Sequence, residues 1–352
     1  MIRGLTAAFA IHVVLPPAET IMLTRLTRAV LLGPALALVP LGAGAHEIVG
    51  NRFFPATLVA DDPGVNDELS LPTASLFKTS DIPSVNELDI AVEFSKRITD
   101  DFALIVQPTW THLYVSGGPL GNGASGFQNL ETAAKYRVYK NAEHEFVLSV
   151  GLVAEWANTG AKSLSVDTFT TYTPTLYFGK GFGDLPDPVW WARPLAVTGV
   201  FGYAIPSRSR TIIATADPDS GDVTVDNSPN PRFFNWGGSL QYSMPYLKTA
   251  VNDLGLPDFF NHLIPLVEAS LQTPVSNFAG LDNVKTTGTI NPGVLWVGDY
   301  FQVGVEAIIP VNRQSGTSVG MIAQLHLYLD DLFPTTIGKP IFGGPVTPAK
   351  PF

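Results

Sequence analysis

The chain contains no cysteine in its 352 residues. This absence excludes disulfide bonds, thiolate nucleophiles and cysteine-ligated metal sites. Charged residues are scarce, at 15% of the chain, and the mean hydropathy is positive, which is unusual for a soluble protein. Long apolar runs are also missing: after residue 45 no uncharged apolar stretch reaches the ~20 residues that a spanning helix needs. If the mature chain lies in a membrane, it must therefore cross it as a closed barrel of strands.

Residues 22–45 have the layout of a cleavable secretory signal. Met22 is followed by two arginines, then by the apolar stretch from Ala29 to Leu41, and finally by small residues. This order of basic, apolar and small residues predicts export, with cleavage after Ala45. The alternative is a transmembrane anchor, which the interrupting glycine and prolines and the short uncharged run disfavour.

Residues 1–21 precede a methionine that carries a complete signal of its own. We therefore predict that translation starts at Met22, the alternative being Met1, and leave residues 1–21 out of the fold. Removing residues 1–45 takes away three basic residues and one acidic residue, so the net charge falls from −10 to −12. An acidic exported chain without a basic cluster predicts no binding to nucleic acid.

The segment from Tyr300 to Leu329 shows the clearest pattern in the sequence. Apolar residues alternate with polar or small ones from Phe301 to Ile309, and the alternation resumes after a polar loop. A period of two over segments this long predicts two β-strands, each with one apolar face. The same unit recurs along the chain and gives eleven clear strands from Glu87 onward.

Connections between these strands alternate in length. Short corners at 99–101, 140–142 and 298–299 are separated by longer polar loops, as in outer-membrane barrels, where periplasmic turns are short. If the short corners lie in the periplasm, the strand that begins at Glu87 runs from the outer side of the membrane toward the periplasm. An earlier strand must therefore carry the chain to the outer side. The weak segment Leu69–Lys78, interrupted by a proline, supplies that strand.

The sequence therefore predicts an all-β fold, an antiparallel up-and-down transmembrane β-barrel of about 12 strands over residues 67–329. Residues 46–66 are predicted to form an irregular periplasmic or plug segment, and residues 330–352 a C-terminal periplasmic tail. The longest connection, 207–231, is predicted to be a polar loop, and 245–262 to hold one short helix.

Aromatic residues are sorted to the two ends of the predicted apolar face, as lipid interfaces favour. The predicted outer belt contains Trp110, Tyr114, Trp156, Phe234 and Trp236. The predicted periplasmic belt contains Phe94, Tyr136, Phe146, Tyr242, Trp296 and Phe301. The alternative fold, a soluble β-sandwich, also has alternating strands but does not need this sorting.

The opposite faces of the strands are rich in carboxylates. The residues predicted to line the lumen are Glu87, Asp89, Glu93, Glu131, Lys135, Arg137, Glu155, Glu268, Glu306, Gln324 and His326. One interpretation is a partly wet lumen that favours cations. The other is a filled barrel whose carboxylates meet the basic residues and the terminal segments. The strand 194–206 places small residues inward, which leaves space either for an apolar ligand or for close packing by the N-terminal segment.

Two histidines are candidates for chemistry. His326 could relay protons with Glu306 on the neighbouring strand, although a structural hydrogen bond is the more ordinary role. His112 lies outward between Trp110 and Tyr114, where it fits either an aromatic belt or a lipase with its active site on the lipid face.

No other motif predicts catalysis, a cofactor or a metal. Gly316-Thr317-Ser318-Val319-Gly320 has the letters of a G-x-S-x-G motif, but it falls between two predicted strands, whereas a nucleophile elbow needs a strand followed by a helix. Glu143, His144 and Glu145 are consecutive in a strand-like segment, so their side chains would not converge on one metal ion. The segment from Asp217 to Asp222 resembles the start of a calcium loop, but it lacks the glycine at the sixth position and the glutamate at the twelfth, which here is Ser228. We therefore expect a protein that is not an enzyme and has no cofactor or metal.

A set of short motifs along the mature chain resembles one family. The motifs are Asp67-Glu68-Leu69-Ser70-Leu71-Pro72, Glu93-Phe94-Ser95-Lys96-Arg97-Ile98-Thr99, Asn129-Leu130-Glu131 with Lys135-Tyr136, Gly179-Lys180-Gly181-Phe182-Gly183-Asp184-Leu185-Pro186, Leu329-Asp330-Asp331-Leu332-Phe333-Pro334 and Gly338-Lys339-Pro340. They look like the outer-membrane proteins grouped as the MetA-pathway of phenol degradation family. The resemblance implies a barrel and a transport-like role near aromatic-compound metabolism, and it supplies no site residues.

These observations lead to one expected function and its alternatives. We expect a channel or transporter in the bacterial outer membrane for passive uptake or efflux of small, hydrophobic or aromatic compounds. The alternatives are a closed structural barrel or a lipid-modifying enzyme. The expected partners are the lipid bilayer, a small hydrophobic or aromatic ligand, the barrel-assembly machinery and periplasmic chaperones.

Overall fold

A computed structural model describes residues 47–80, 85–115, 123–216, 223–278 and 284–343. The segments predicted to be an upstream extension, 1–21, and a signal, 22–45, lie outside the described residues. No helix within the described ranges is both long and apolar enough to cross a membrane.

Twelve strands form the main sheet, numbered here in chain order. They are β1 (Glu68–Lys78), β2 (Val85–Thr99), β3 (Phe102–Gln107 and Thr109–Val115), β4 (Gly123–Phe127 and Glu131–Asn141), β5 (Phe146–Glu155), β6 (Thr171–Gly181), β7 (Leu195–Pro206), β8 (Arg232–Tyr242), β9 (Leu263–Ser276), β10 (Thr287–Val297), β11 (Phe301–Pro310) and β12 (Gly320–Tyr328).

The sheet is closed. Each strand pairs antiparallel with the next, and β12 pairs with β1 to complete the ring. The predicted all-β, antiparallel barrel of about 12 strands is therefore confirmed. The weak segment Leu69–Lys78 occupies the closing position, and its ladder breaks on both sides at Leu71 and Pro72. The alternating directions of the strands predicted this strand, although its own alternation is weak. The weakness comes from the proline, which cannot donate a hydrogen bond to a ladder.

Two of the strands are interrupted. In β3 the break falls at Pro108, whose carbonyl still accepts a hydrogen bond from the amide of Val92. In β4 it falls at residues 128–130, where the amide of Gln128 donates to the carbonyl of Thr109. Because the breaks are hydrogen-bonded across β2, β3 and β4, the wall stays continuous.

The barrel has two unlike ends. The end where short turns join β2 to β3, β4 to β5 and β10 to β11 is called the turn end, and the opposite one the loop end. The prediction of a loop at 207–231 is wrong in part, since a hairpin, Arg210–Ala216 with Val223–Pro229, extends from the loop end. At the turn end, 245–262 contains Asp258–Asn261 in addition to the helical stretch from Met244 to Val251, so one helix was too few.

Residues 47–66, called the plug, lie inside the barrel at its turn end. Apart from a tiny hairpin, Ile48–Val49 with Arg52–Phe53, the plug has no regular structure. Its apolar side chains Phe53, Phe54 and Leu58 are at most 9% exposed and pack against inward residues of the wall. The protein core therefore lies within the ring of strands.

The C-terminal segment closes over the same end. After the short helix Leu329–Leu332, the amides of Ile341 and Phe342 donate to the carbonyls of Arg97 and Ile98. The Lys96 ammonium, at the end of β2, donates to the carbonyls of Ile337 and Lys339 at 2.8 and 2.7 Å. The tail therefore extends the end of β2 and is held against the turn end.

Closure between the first and last strands can be tested with cysteines, because the native chain has none. Ala74 and Ala323 are directly paired on the outer face of β1 and β12. We expect Ala74→Cys with Ala323→Cys to form an intramolecular disulfide on mild oxidation, since opposed Cβ atoms lie about 5 Å apart. The measurement is a mobility shift on non-reducing gels. Ala74→Cys with Ala307→Cys, one strand further round, is the control, and cross-linking there instead would reject this register.

Candidate functional site

The interior of the barrel is filled at the turn end. Each of the twelve strands contributes at least one inward side chain that is 5% exposed or less. One example per strand, in order, is Ser70, Ser95, Ala103, Lys135, Val147, Tyr177, Ala196, Ser239, Ile264, Leu295, Gln302 and His326. A water-filled pore would leave such wall residues accessible. The plug therefore closes the cross-section at this level.

Glu268 on β9 holds the middle of the plug. Its side chain is fully buried, and its two oxygens accept hydrogen bonds from three consecutive amides, those of Leu58, Val59 and Ala60, at 2.7–2.9 Å. Hydrogen bonds to a buried carboxylate are stronger than neutral ones. This one side chain therefore supplies the acceptors that an irregular segment cannot find within itself.

Basic side chains on β4 bind the plug from the opposite wall. The Lys135 ammonium donates to Asp61 at 2.8 Å and to the carbonyl of Asp62 at 2.9 Å, and lies 4.5 Å from the centre of the Tyr177 ring. Arg137 donates to the buried Glu47 carboxylate at 2.7 Å. The two basic residues predicted to line the lumen thus neutralise acidic side chains of the plug.

Arg52 fastens the start of the plug to three turns. Its guanidinium donates to Glu145 at 3.2 Å and to the carbonyls of Arg193 and Pro194, and it stacks 3.6 Å from the ring centre of Tyr246. The Tyr246 hydroxyl donates to Glu145 at 2.6 Å. Burial lowers the pKa of Arg52, opposed by Glu145. Burial and the bond to Glu145 raise the pKa of Tyr246, so it stays a protonated donor.

A cavity of about 510 Å³, here called the vestibule, opens at the loop end. The charged side chains that line it are carboxylates, Glu131, Glu155 and Asp167. Phe169, Phe233 and several prolines form its apolar lining. The interior is thus divided into a sealed half, occupied by the plug, and an open, acidic half that faces the loops.

The other predicted lumen residues lie on the inward faces of their strands, but they do not form one site. Asp89 accepts a hydrogen bond from Thr111 at 2.5 Å. Glu87 and Glu93 share its face of β2. Gln324 donates to Thr73 at 3.0 Å on the first strand.

The suggested proton relay between His326 and Glu306 is not formed. In the register of β11 and β12, Glu306 faces Ile322, whereas His326 faces Gln302. His326 instead contacts Ser70, with Nδ1 and Oγ 2.8 Å apart, and its Nε2 lies 3.6 Å from Glu68. The sequence pattern placed both residues on the inward face, but it could not reveal that the closing strand β1 supplies the partners of His326.

The predicted aromatic residues all lie on the outer faces, and several of them contact an aromatic ring on a neighbouring strand. Trp156 and Tyr172 meet edge to face at the loop end, and Trp296 and Phe301 lie 5.5 Å apart at the turn end. The indole of Trp156 donates to Thr132, as that of Trp236 does to Thr273. The remaining predicted belt residues are Phe94, Trp110, Tyr114, Tyr136, Phe146, Phe234 and Tyr242.

His112 has a partner that the sequence analysis missed. Its Nδ1 lies 2.6 Å from the Oγ of Ser125, directly opposite on β4, and its ring is stacked between Trp110 and Tyr114. Ser125 stands in a glycine-rich segment with little alternation, so no local signal marked it. In the described part of the chain, no group of three or more metal-ligating side chains is placed to hold a metal ion.

Comparisons with known proteins yield a fold likeness only. No protein-family model matches the chain, and no curated protein matches it. Among solved structures, a NanC porin is 9% identical with a TM-score of 0.41 over 73% of this chain and 98% of its own. The translocator domain of autotransporter NalP from Neisseria meningitidis is 10% identical, with a TM-score of 0.37 over 74% and 86%. Salmonella typhi OmpF in complex with daunomycin is 11% identical, with a TM-score of 0.26 over 74% and 96%.

The role of Glu268 predicts a large stability effect. Glu268→Ala leaves three plug amides without their acceptor, and each buried unpaired amide costs about 1–3 kcal/mol. We expect the free energy of unfolding to fall by roughly 3 kcal/mol or more, measured by urea titration of the refolded protein in micelles with tryptophan fluorescence. Glu143→Ala, which removes an exposed carboxylate, is the control. Equal unfolding curves for the two variants would show that Glu268 does not anchor the plug.

Proposed function

We propose that the protein is a plugged transport barrel of the bacterial outer membrane, with its turn end in the periplasm and its vestibule facing outward. The observation that carries this proposal is the division of the interior into an open vestibule and a sealed half. The vestibule ends on the plug, and the plug is held to the wall by side chains. This arrangement suits a transport pathway that opens when the plug moves.

The exterior supports a location in lipid. Outward side chains at mid-strand are apolar and accessible, among them Val303 at 44% and Val305 at 43%. Aromatic pairs flank this apolar band at both strand ends. A soluble protein would have to leave this whole band in water, whereas a bilayer covers it.

The proposed cargo is small, hydrophobic or aromatic compounds. The phenyl rings and prolines of the vestibule favour an apolar body, and its volume of about 510 Å³ suits a small molecule. The resemblance to the phenol-degradation family points the same way and remains a prediction.

Plug removal should open the barrel. We expect the wild-type mature protein to conduct potassium ions only rarely in planar bilayers, whereas deletion of residues 47–66 should produce steady conductance. Glu268→Ala in the full-length mature chain keeps the plug but loosens it, so it should raise the frequency of open events. Arg210→Ala, in the exposed hairpin, is the matched control: it also removes one charged side chain, but it does not touch the plug, so it should leave the conductance unchanged.

Two results would contradict this proposal. One is a deletion variant that shows the heat-modifiable mobility of a folded barrel and does not conduct. If the deletion variant does not fold, the full-length variant decides, and Glu268→Ala bilayers as silent as the wild type would reject the proposal.

The Ser125–His112 pair favours a second candidate, hydrolysis of lipid esters at the barrel exterior. His112 is placed to accept the Ser125 hydroxyl proton while the oxygen attacks an ester carbonyl. The alcohol would leave with that proton, and water would then release the fatty acid from the serine.

This candidate has a direct test. If it is right, the detergent-solubilised protein releases fatty acid from phospholipid micelles, and Ser125→Ala and His112→Ala each reduce the rate at least a hundredfold. Ser207→Ala, also at the loop end, should leave the rate unchanged. The absence of hydrolysis by the wild type would assign the pair to the aromatic belt alone.

A further inference from the structure

We propose that the vestibule binds small organic cations, protonated amines attached to an apolar or aromatic body. This inference rests on the proposed transport function and names the charge that its cargo would carry.

Carboxylates make up one wall of the vestibule. Glu131 on β4 and Glu155 on β5 are directly opposed in the sheet register, and Asp167 lies in the loop that follows β5. Like charges directly opposed on neighbouring strands repel each other. A cation between them would turn that repulsion into attraction.

The protein provides little compensation for this charge. Within the described residues, Glu155 accepts one hydrogen bond, from Asn129 at 3.2 Å, and neither Glu131 nor Asp167 has an ion pair. No lysine, arginine or histidine is among the described residues that line the cavity. The nearby Lys135 points to the plug and is bound to Asp61.

The rest of the vestibule lining favours an apolar body. Phe169, Phe233, Pro206, Pro229 and Pro231 belong to this lining. Asn235 on β8 also lines the cavity, and its buried Oδ1 has no hydrogen-bond donor within the described chain. An ammonium group supplies three donors, enough for this oxygen and for carboxylates. Its hydrocarbon part would then lie against the phenyl rings, whose faces attract cations as well.

The chemistry excludes the opposite charge. An aromatic carboxylate of the same size would face the three acids without any basic side chain to pair with. The vestibule should therefore separate benzylamine from benzoate, two probes that share a ring and differ in charge.

Isothermal titration of the full mature protein in micelles tests this inference. We expect benzylamine to bind at pH 7.5, benzoate not to bind, and methylamine to bind at least tenfold more weakly than benzylamine. The double variant Glu131→Gln with Glu155→Gln should lose at least tenfold in benzylamine affinity. Glu143→Gln with Asp258→Asn, which removes two carboxylates at the turn end, should bind as the wild type does.

Phe169→Ala with Phe233→Ala provides an independent reading. It should bring the benzylamine affinity close to that of methylamine while leaving methylamine unchanged. Benzoate binding as tight as benzylamine binding, or an unchanged affinity in the Glu131→Gln, Glu155→Gln variant, would overturn the inference.

Failure here and failure of the transport proposal are distinguishable. A plug-deleted barrel that conducts, with a wild type that ignores benzylamine, overturns only the ligand assignment. Benzylamine binding by a protein whose plug-deleted form folds without conducting overturns only transport, and leaves the vestibule as a binding site.

Discussion

The need of a buried, irregular segment for hydrogen-bond partners governs this structure. Strands satisfy their backbone groups with one another, but the plug has almost no regular structure and lies where water is excluded. Its partners are therefore side chains of the wall. Glu268 accepts from three amides, Gln302 donates to the carbonyl of Ala56, Ser149 to that of Pro63, and Ser95 to that of Asn66. These inward polar side chains supply the plug with the backbone hydrogen-bond partners that a neighbouring strand supplies in a sheet.

Charge inside the barrel follows from the same constraint. A carboxylate or guanidinium in the sealed half costs several kcal/mol to desolvate, and several of these groups meet an opposite charge there. Arg52 meets Glu145, Arg97 meets Asp67 and Lys135 meets Asp61. In the vestibule, which is open at the loop end, Glu131, Glu155 and Asp167 have no ion pair within the described residues.

Sequence reasoning predicted the wall well and the interior poorly. Alternation along each strand, a local property, placed residues such as Glu306 and Trp236 on the correct faces, and parity recovered β1. The partner of each inward side chain is non-local. Glu268 lies more than two hundred positions from the amides that it holds, and no spacing rule connects them. Ser125 was missed because its strand is glycine-rich, and the hairpin beyond β7 because its strands are short and lie in a connection rich in Asp, Ser and Pro.

The plug also dictates an order of events during assembly. It precedes all twelve strands in the chain and is therefore synthesised before them, yet its binding groups lie on strands from β2 to β11. It cannot reach its final contacts until those strands have come together around it. The ring must therefore either close around a retained segment or admit it through the turn end before residues 329–343 dock there. A barrel that closed too early would leave the plug outside and the buried Lys135 and Glu268 without counterparts.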